Sequence, residues 1–157
     1  MDMNAAKADF LKNKFTPYLQ QIPSDTPGKW GKMTLQQMVE HFADSVRIAS
    51  GTSKHRELVT PEENLQRLRD FIFSDKPFRE NTPNPLMPVL PPPVRNASIN
   101  DSIRELQQEI NYFFSEFENN KHLITRNPFF GDMNFEENIH LLYKHALHHL
   151  KQFGKEI

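Results

Sequence analysis

The chain contains no cysteine. That excludes disulfides, thiolate metal ligands and a protein thiol nucleophile, so any metal must be held by His, Asp or Glu. An excess of one charge is also missing. The 19 basic and 20 acidic side chains leave a net charge of −1, which offers no long-range attraction to nucleic acid or an anionic membrane. No stretch approaches the roughly eighteen apolar residues of a membrane span, and Met1-Asp2-Met3-Asn4 begins with no apolar run. The expectation is a cytoplasmic protein acting on a small-molecule substrate, with no nucleic-acid or membrane partner and with a homodimer left open. What is present suits one ordinary domain over 1–157. The 157 residues are 37% hydrophobic and 25% charged, and 13 Phe supply core area.

Helical periodicity marks four long segments. The first runs from about Asn4 to Gln21, with Pro17 inside it expected to kink or end the helix. The second begins at Leu35 behind a capping box of Thr34 and Gln37, with Met33 and Met38 as a staple, and ends at Gly51. A shorter helix is expected from Pro61 to about Phe73, capped by Thr60. Seven prolines between Pro77 and Pro93 exclude a helix and make that segment a loop. The third long helix covers about Ser98 to Glu118. The last is opened by Asn134 and Glu137, carries its apolar stripe from Phe135 to Phe153 and is closed by Gly154. No strand pattern intervenes, so the expected fold class is all-α: a four-helix bundle with a long crossover between the second and third long helices.

Seven histidines raise a metal hypothesis that position must decide. On the last helix His149 falls within roughly 40° of the centre of the apolar face and His145 near its shoulder. A spacing of four stacks two imidazoles on one face, as needed to reach one ion at about 2.0–2.1 Å. The plain alternative is one hydrogen-bonded core histidine and one shoulder residue. His148 is expected on the side opposite His145, and His140 off the stripe, both solvated. His55 and His122 fall in loops or at helix ends. A third ligand must come from another helix. His41 lies roughly 120° from the centre of the second helix's stripe, a place for either a surface histidine or a ligand at the rim of a water-filled cavity.

Two segments resemble the DinB/YfiT-like superfamily of metalloenzymes: Trp30-Gly31-Lys32-Met33-Thr34 with Gln37 to His41, and Asn127-Pro128-Phe129-Phe130-Gly131 followed by Lys144 to Gln152. The similarity spans about Trp30 to Gly154 and is most specific in the His-x-x-His-His-x-x-Gln pattern at the C-terminal end. The resemblance implies a four-helix bundle with a long crossover and a metal held by His41, His145 and His149, with Gln152 orienting a ligand from behind. The proline-rich segment is the main departure from the family.

Three imidazoles leave a coordination position open, the arrangement of catalytic zinc sites, although nickel or another divalent ion also suits imidazole. Ala146 follows His145, so the glutamate of the His-Glu-x-x-His peptidase motif is absent. Glu40 and Asp44 are weak candidates for a catalytic carboxylate. Glu40 is expected to point away from the site and Asp44 to be solvated. A metal also favours the anionic form of a bound thiol without a protein base. The resemblance therefore implies activation of a low-molecular-weight thiol for S-transfer or isomerisation, with metal-assisted hydrolysis or non-catalytic metal binding as alternatives. The segment Pro77 to Pro93, with Leu86, Met87, Val89 and Leu90, is expected either to wall the metal cavity or to lie as an inert strap outside it.

Overall fold

A computed structural model describes residues 2–54, 57–81 and 90–157. The chain is mostly helical. Its N-terminal segment is α1 (Met3–Asp9), a π-helical turn (Phe10–Lys14) and α2 (Phe15–Gln20). Pro17 does not end this segment. The preceding turn widens so that the Phe15 amide bonds the Phe10 carbonyl five residues back, and the helix continues past the proline with its ladder shifted.

Helix α3 (Leu35–Ser50) starts at the expected capping box, with Thr34 Oγ1 and Gln37 each accepting from the other's backbone, and stops at Gly51 with φ 85°. Helix α4 (Leu65–Phe73) differs from expectation. Pro61 is extended (φ −57°, ψ 140°), Thr60 does not cap, and a 3-10 turn over Glu62–Asn64 leads in. Helix α5 (Ile99–Asn119) is capped by Ser98, and α6 (Phe135–Gln152) opens at the Asn134–Glu137 capping box.

The expected helical fold holds, with one small element added to it. A two-stranded antiparallel ribbon, β1 (Thr125–Asn127) and β2 (Gly131–Met133), pairs Arg126 with Asp132. Asn127 Oδ1 accepts from the Phe129 and Phe130 amides to form its turn, and Gly131 takes φ 80°. Strands this short show no alternation to read.

Helix α3 packs most extensively on α5, while α6 lies against α1, α4 and α3. One apolar cluster joins Phe10, Phe15, Phe42, Phe113, Leu106 and Leu150. A smaller one joins Ile72, Met133 and Leu141. The connection from Pro77 to Pro93 has no regular structure where it is described. Pro83, Leu86, Met87 and Val89 lie outside the described residues, as does His55. Among the described residues no helix is long and apolar enough to cross a membrane.

Candidate metal centre

Helix α6 carries His145 and His149 one turn apart, and α3 brings His41 to them. One ring nitrogen from each lies within 4.8 Å of the others. The ring centroids of His41 stand 5.4 Å from both His145 and His149. The Nε2 atoms of His145 and His149 are 2.8 Å apart. A tetrahedral ion with bonds of about 2.0–2.1 Å would separate its nitrogens by about 3.3 Å, a spacing that small shifts of these rings would reach. Phe42 stacks on His145 at 4.7 Å, and Phe78, from the start of the proline-rich connection, lies 6.1 Å from it.

Gln152 decides which nitrogen of His149 is free. Its Nε2 donates to the Trp30 carbonyl at 2.9 Å, so its Oε1, 2.8 Å from His149 Nδ1, must accept. His149 therefore carries its proton on Nδ1 and turns the Nε2 lone pair toward the other two rings. The loop before α3 is shaped around this glutamine. The Lys29 amide bonds the Gln152 carbonyl, and Gly31, at φ 76°, approaches so closely that a Cβ would sit 3.1 Å from Gln152 Nε2.

Burial keeps the cluster uncharged. It pushes His149 down to about 3, helped by the neighbouring His41 ring and opposed by the Gln152 hydrogen bond. Burial, then the adjacent histidines, hold His145 well below its usual value, and burial also lowers His41 against the pull of Asp44. His145 Nε2–H donates to the His149 Nε2 lone pair at 2.8 Å, and a divalent cation would take the place of this shared proton, so three neutral imidazoles with converging ring nitrogens form a donor set that fits the ion.

Both carboxylates singled out from sequence line a cavity of about 60 Å³ together with His41, Met33, Gln37, Pro91, Pro92, Pro93 and Arg95. Glu40, expected to point away, is 4% exposed. It accepts from the Arg95 and Asn96 amides, the Ser102 hydroxyl and the Gln36 amide group. Burial raises its pKa, but these bonds outweigh burial and hold it below the ordinary carboxylate value. Asp44 is exposed and paired with Arg47 at 2.8 Å and Arg95 at 3.2 Å.

Two histidines depart from expectation. His148 is half-buried, 5.3 Å from the Trp30 ring and 5.8 Å from Phe78, because three residues along a helix return to nearly the same face. His140 is 6% exposed, with Nδ1 on Lys7 Nζ at 2.9 Å and Nε2 on Asn4 Oδ1 at 2.6 Å. Its helix face is polar in sequence but covered by α1 and Phe73. His122 is exposed, as expected. The roles of Trp30 and Gly31 around Gln152 have no signal in residue spacing and emerge only from the loop geometry. Comparison with known protein families, with curated proteins and with solved structures finds no match for this chain.

Proposed function

We propose that the chain is a metal-dependent enzyme in which His41, His145 and His149 hold one divalent ion, zinc or nickel, and a low-molecular-weight thiol is activated for S-transfer or isomerisation. The observation that carries this reading is the convergence of three neutral ring nitrogens with one ring fixed from behind by Gln152. A bound cation would supply positive charge that favours the thiolate. Glu40 is committed to four hydrogen bonds and supplies no base, which suits a reaction needing none. Gln152 keeps the His149 proton on Nδ1, and Phe42 and Phe78 limit water around His145. The cavity beside His41, about 60 Å³, is small against the ~300–1,000 Å³ of ordinary ligand pockets. The accompanying fold reading is a four-helix bundle of the DinB/YfiT-like kind, with a long crossover between α3 and α5, in a cytoplasmic protein.

Metal-assisted hydrolysis is the second reading, favoured by Asp44, an exposed carboxylate lining the same cavity as His41. The test begins with tag-free protein purified without chelators. One divalent ion per chain is expected, lost on His41→Ala, His145→Ala or His149→Ala and kept on His148→Ala or His140→Ala. Equal metal content across all five variants would sink the assignment. Metal-loaded protein should then consume a small thiol in the presence of an electrophile faster than metal-free protein does. Ester hydrolysis abolished by Asp44→Asn, without thiol consumption, would favour the second reading. Metal uptake with neither activity would mark a metal-binding protein.

A further inference from the structure

The three consecutive prolines Pro91 to Pro93 form part of the wall facing His41, yet proline has no amide hydrogen with which to anchor itself. The anchoring comes from the first turns of α3. Gln37 Nε2 donates to the Pro92 carbonyl at 3.0 Å, and Gln36 Nε2 to the Asn96 carbonyl at 2.9 Å. Glu40 completes the attachment, taking the Arg95 amide on Oε1 at 2.8 Å and the Asn96 amide on Oε2 at 3.3 Å. The Arg95 guanidinium returns to the Glu40 carbonyl at 3.2 Å. Ser102 Oγ, from α5, donates to the same Oε2 at 2.7 Å, so the carboxylate ties the strap to two helices at once. A buried carboxylate with this set of donors is costly to disturb.

We propose that Glu40 and Gln37 are positioning residues that clamp the strap Pro91–Asn96 as a rigid wall over His41, and so restrict the metal to ligands that are slender near their donor atom. The inference rests on the reading that the three histidines hold a divalent ion, and it adds the substrate class: thiols unbranched beside sulfur, in preference to thiols with bulk close to it. A bulky ligand must displace the strap, and the cost of displacement falls when a clamp bond is removed. A slender ligand leaves the strap in place and is indifferent to the clamp.

Two variants separate clamp from fold. Glu40→Gln is isosteric but turns an amide donor toward one of the donors that Glu40 now accepts from. Gln37→Glu keeps the capping box, since a glutamate oxygen still accepts from Thr34, and loses only the bond to Pro92. Cobalt(II)-loaded wild type and both variants are titrated with 2-mercaptoethanol and with tert-butyl mercaptan, whose sulfur sits on a fully branched carbon, following the thiolate-to-cobalt absorption band. The ratio of the two dissociation constants cancels the effect of each variant's altered charge, which acts on both thiolates alike. Wild type should favour 2-mercaptoethanol. In each variant the preference should fall about fivefold to tenfold, the worth of roughly one hydrogen bond, through tighter binding of tert-butyl mercaptan alone. An unchanged ratio in variants that bind cobalt one to one overturns the clamp, as does an equal shift for both thiols. Should Glu40→Gln fail to fold, Gln37→Glu decides. Wild-type protein that takes up no cobalt, or takes it up no better than His145→Ala, overturns the metal reading and this one with it.

Discussion

Gln152 serves two partners through the two ends of one amide, and substitutions can separate them. Gln152→Glu keeps an acceptor for His149 Nδ1 but loses the donor to the Trp30 carbonyl. It should hold metal at least as tightly as wild type while losing about 1–3 kcal/mol of stability. Gln152→Ala loses both and should weaken metal binding about 10- to 100-fold. Competition with a chromophoric chelator and urea denaturation read the two effects; parallel losses in both variants would refute the division of roles. Gln152 was singled out through the resemblance, and its place three residues beyond His149, on the same side of the helix, is what lets it reach that ring. The same rule, properly applied, puts His148 beside His145 rather than opposite it. His140 was not legible, since a helix's own polar face says nothing of what another segment lays over it. Burial first, then Lys7 and Lys144, lower its pKa against Glu136. The native state therefore favours the neutral ring. Its stability contribution is full above about 6.5 and is lost as pH falls through the lowered native value. His140→Gln can still accept from Lys7 and donate to Asn4. It should lose less stability than wild type between about pH 7.5 and about pH 5, measured by urea denaturation at each pH, and identical losses would count against the buried neutral ring.

At the scale of elements, what could be read was whatever local chemistry determines. Thr34 with Gln37 and Asn134 with Glu137 open α3 and α6 where their spacing says they should, and Gly51 closes α3, because caps are made among neighbours in the chain. The widened turn before Pro17 and the extended backbone at Pro61 are choices among permitted responses to a proline, and sequence does not select between them. The ribbon Thr125–Met133 escaped notice because tertiary hydrogen bonds, rather than strand pattern, hold it. Thr125 Oγ1 donates to the Ala49 carbonyl at 2.9 Å and accepts from Asn138 Nδ2 at 3.0 Å. One hydroxyl thus joins β1 to the end of α3 and the first turns of α6. Thr125→Val preserves the branched shape and strand preference while removing that junction. It should cost about 1–3 kcal/mol in urea denaturation, with an unchanged m-value showing that the folded and unfolded surfaces are as before. A change below a few tenths of a kcal/mol would mean that the ribbon is held by packing alone.

For the whole molecule, the division of the three histidines between α3 and α6 matters more than their number. Helix α3 is held chiefly by α5, and its contact with α6 is slighter. An ion bound by His41 from one helix and His145 and His149 from the other would cross-link α3 to a helix that it touches less extensively than α5. The pairing of α3 with α6 was not legible from periodicity, which placed His41 well off its own stripe and left a surface histidine equally admissible. Only the packed structure turns that edge toward α6. Ligand binding to the native state alone stabilises by RT ln(1 + [L]/Kd), about 2.7 kcal/mol at a hundred times Kd. For a chain of this size that corresponds to a rise in Tm of about 5–10 °C. Zinc added to metal-free protein should produce a rise of that order, growing with the logarithm of free zinc. His41→Ala should abolish it as fully as His149→Ala, because either change cuts the link between helices, whereas His122→Ala should leave it intact. A rise that survives His41→Ala but not His149→Ala would place the ion on α6 alone, leaving α3 and α6 joined only by their packing.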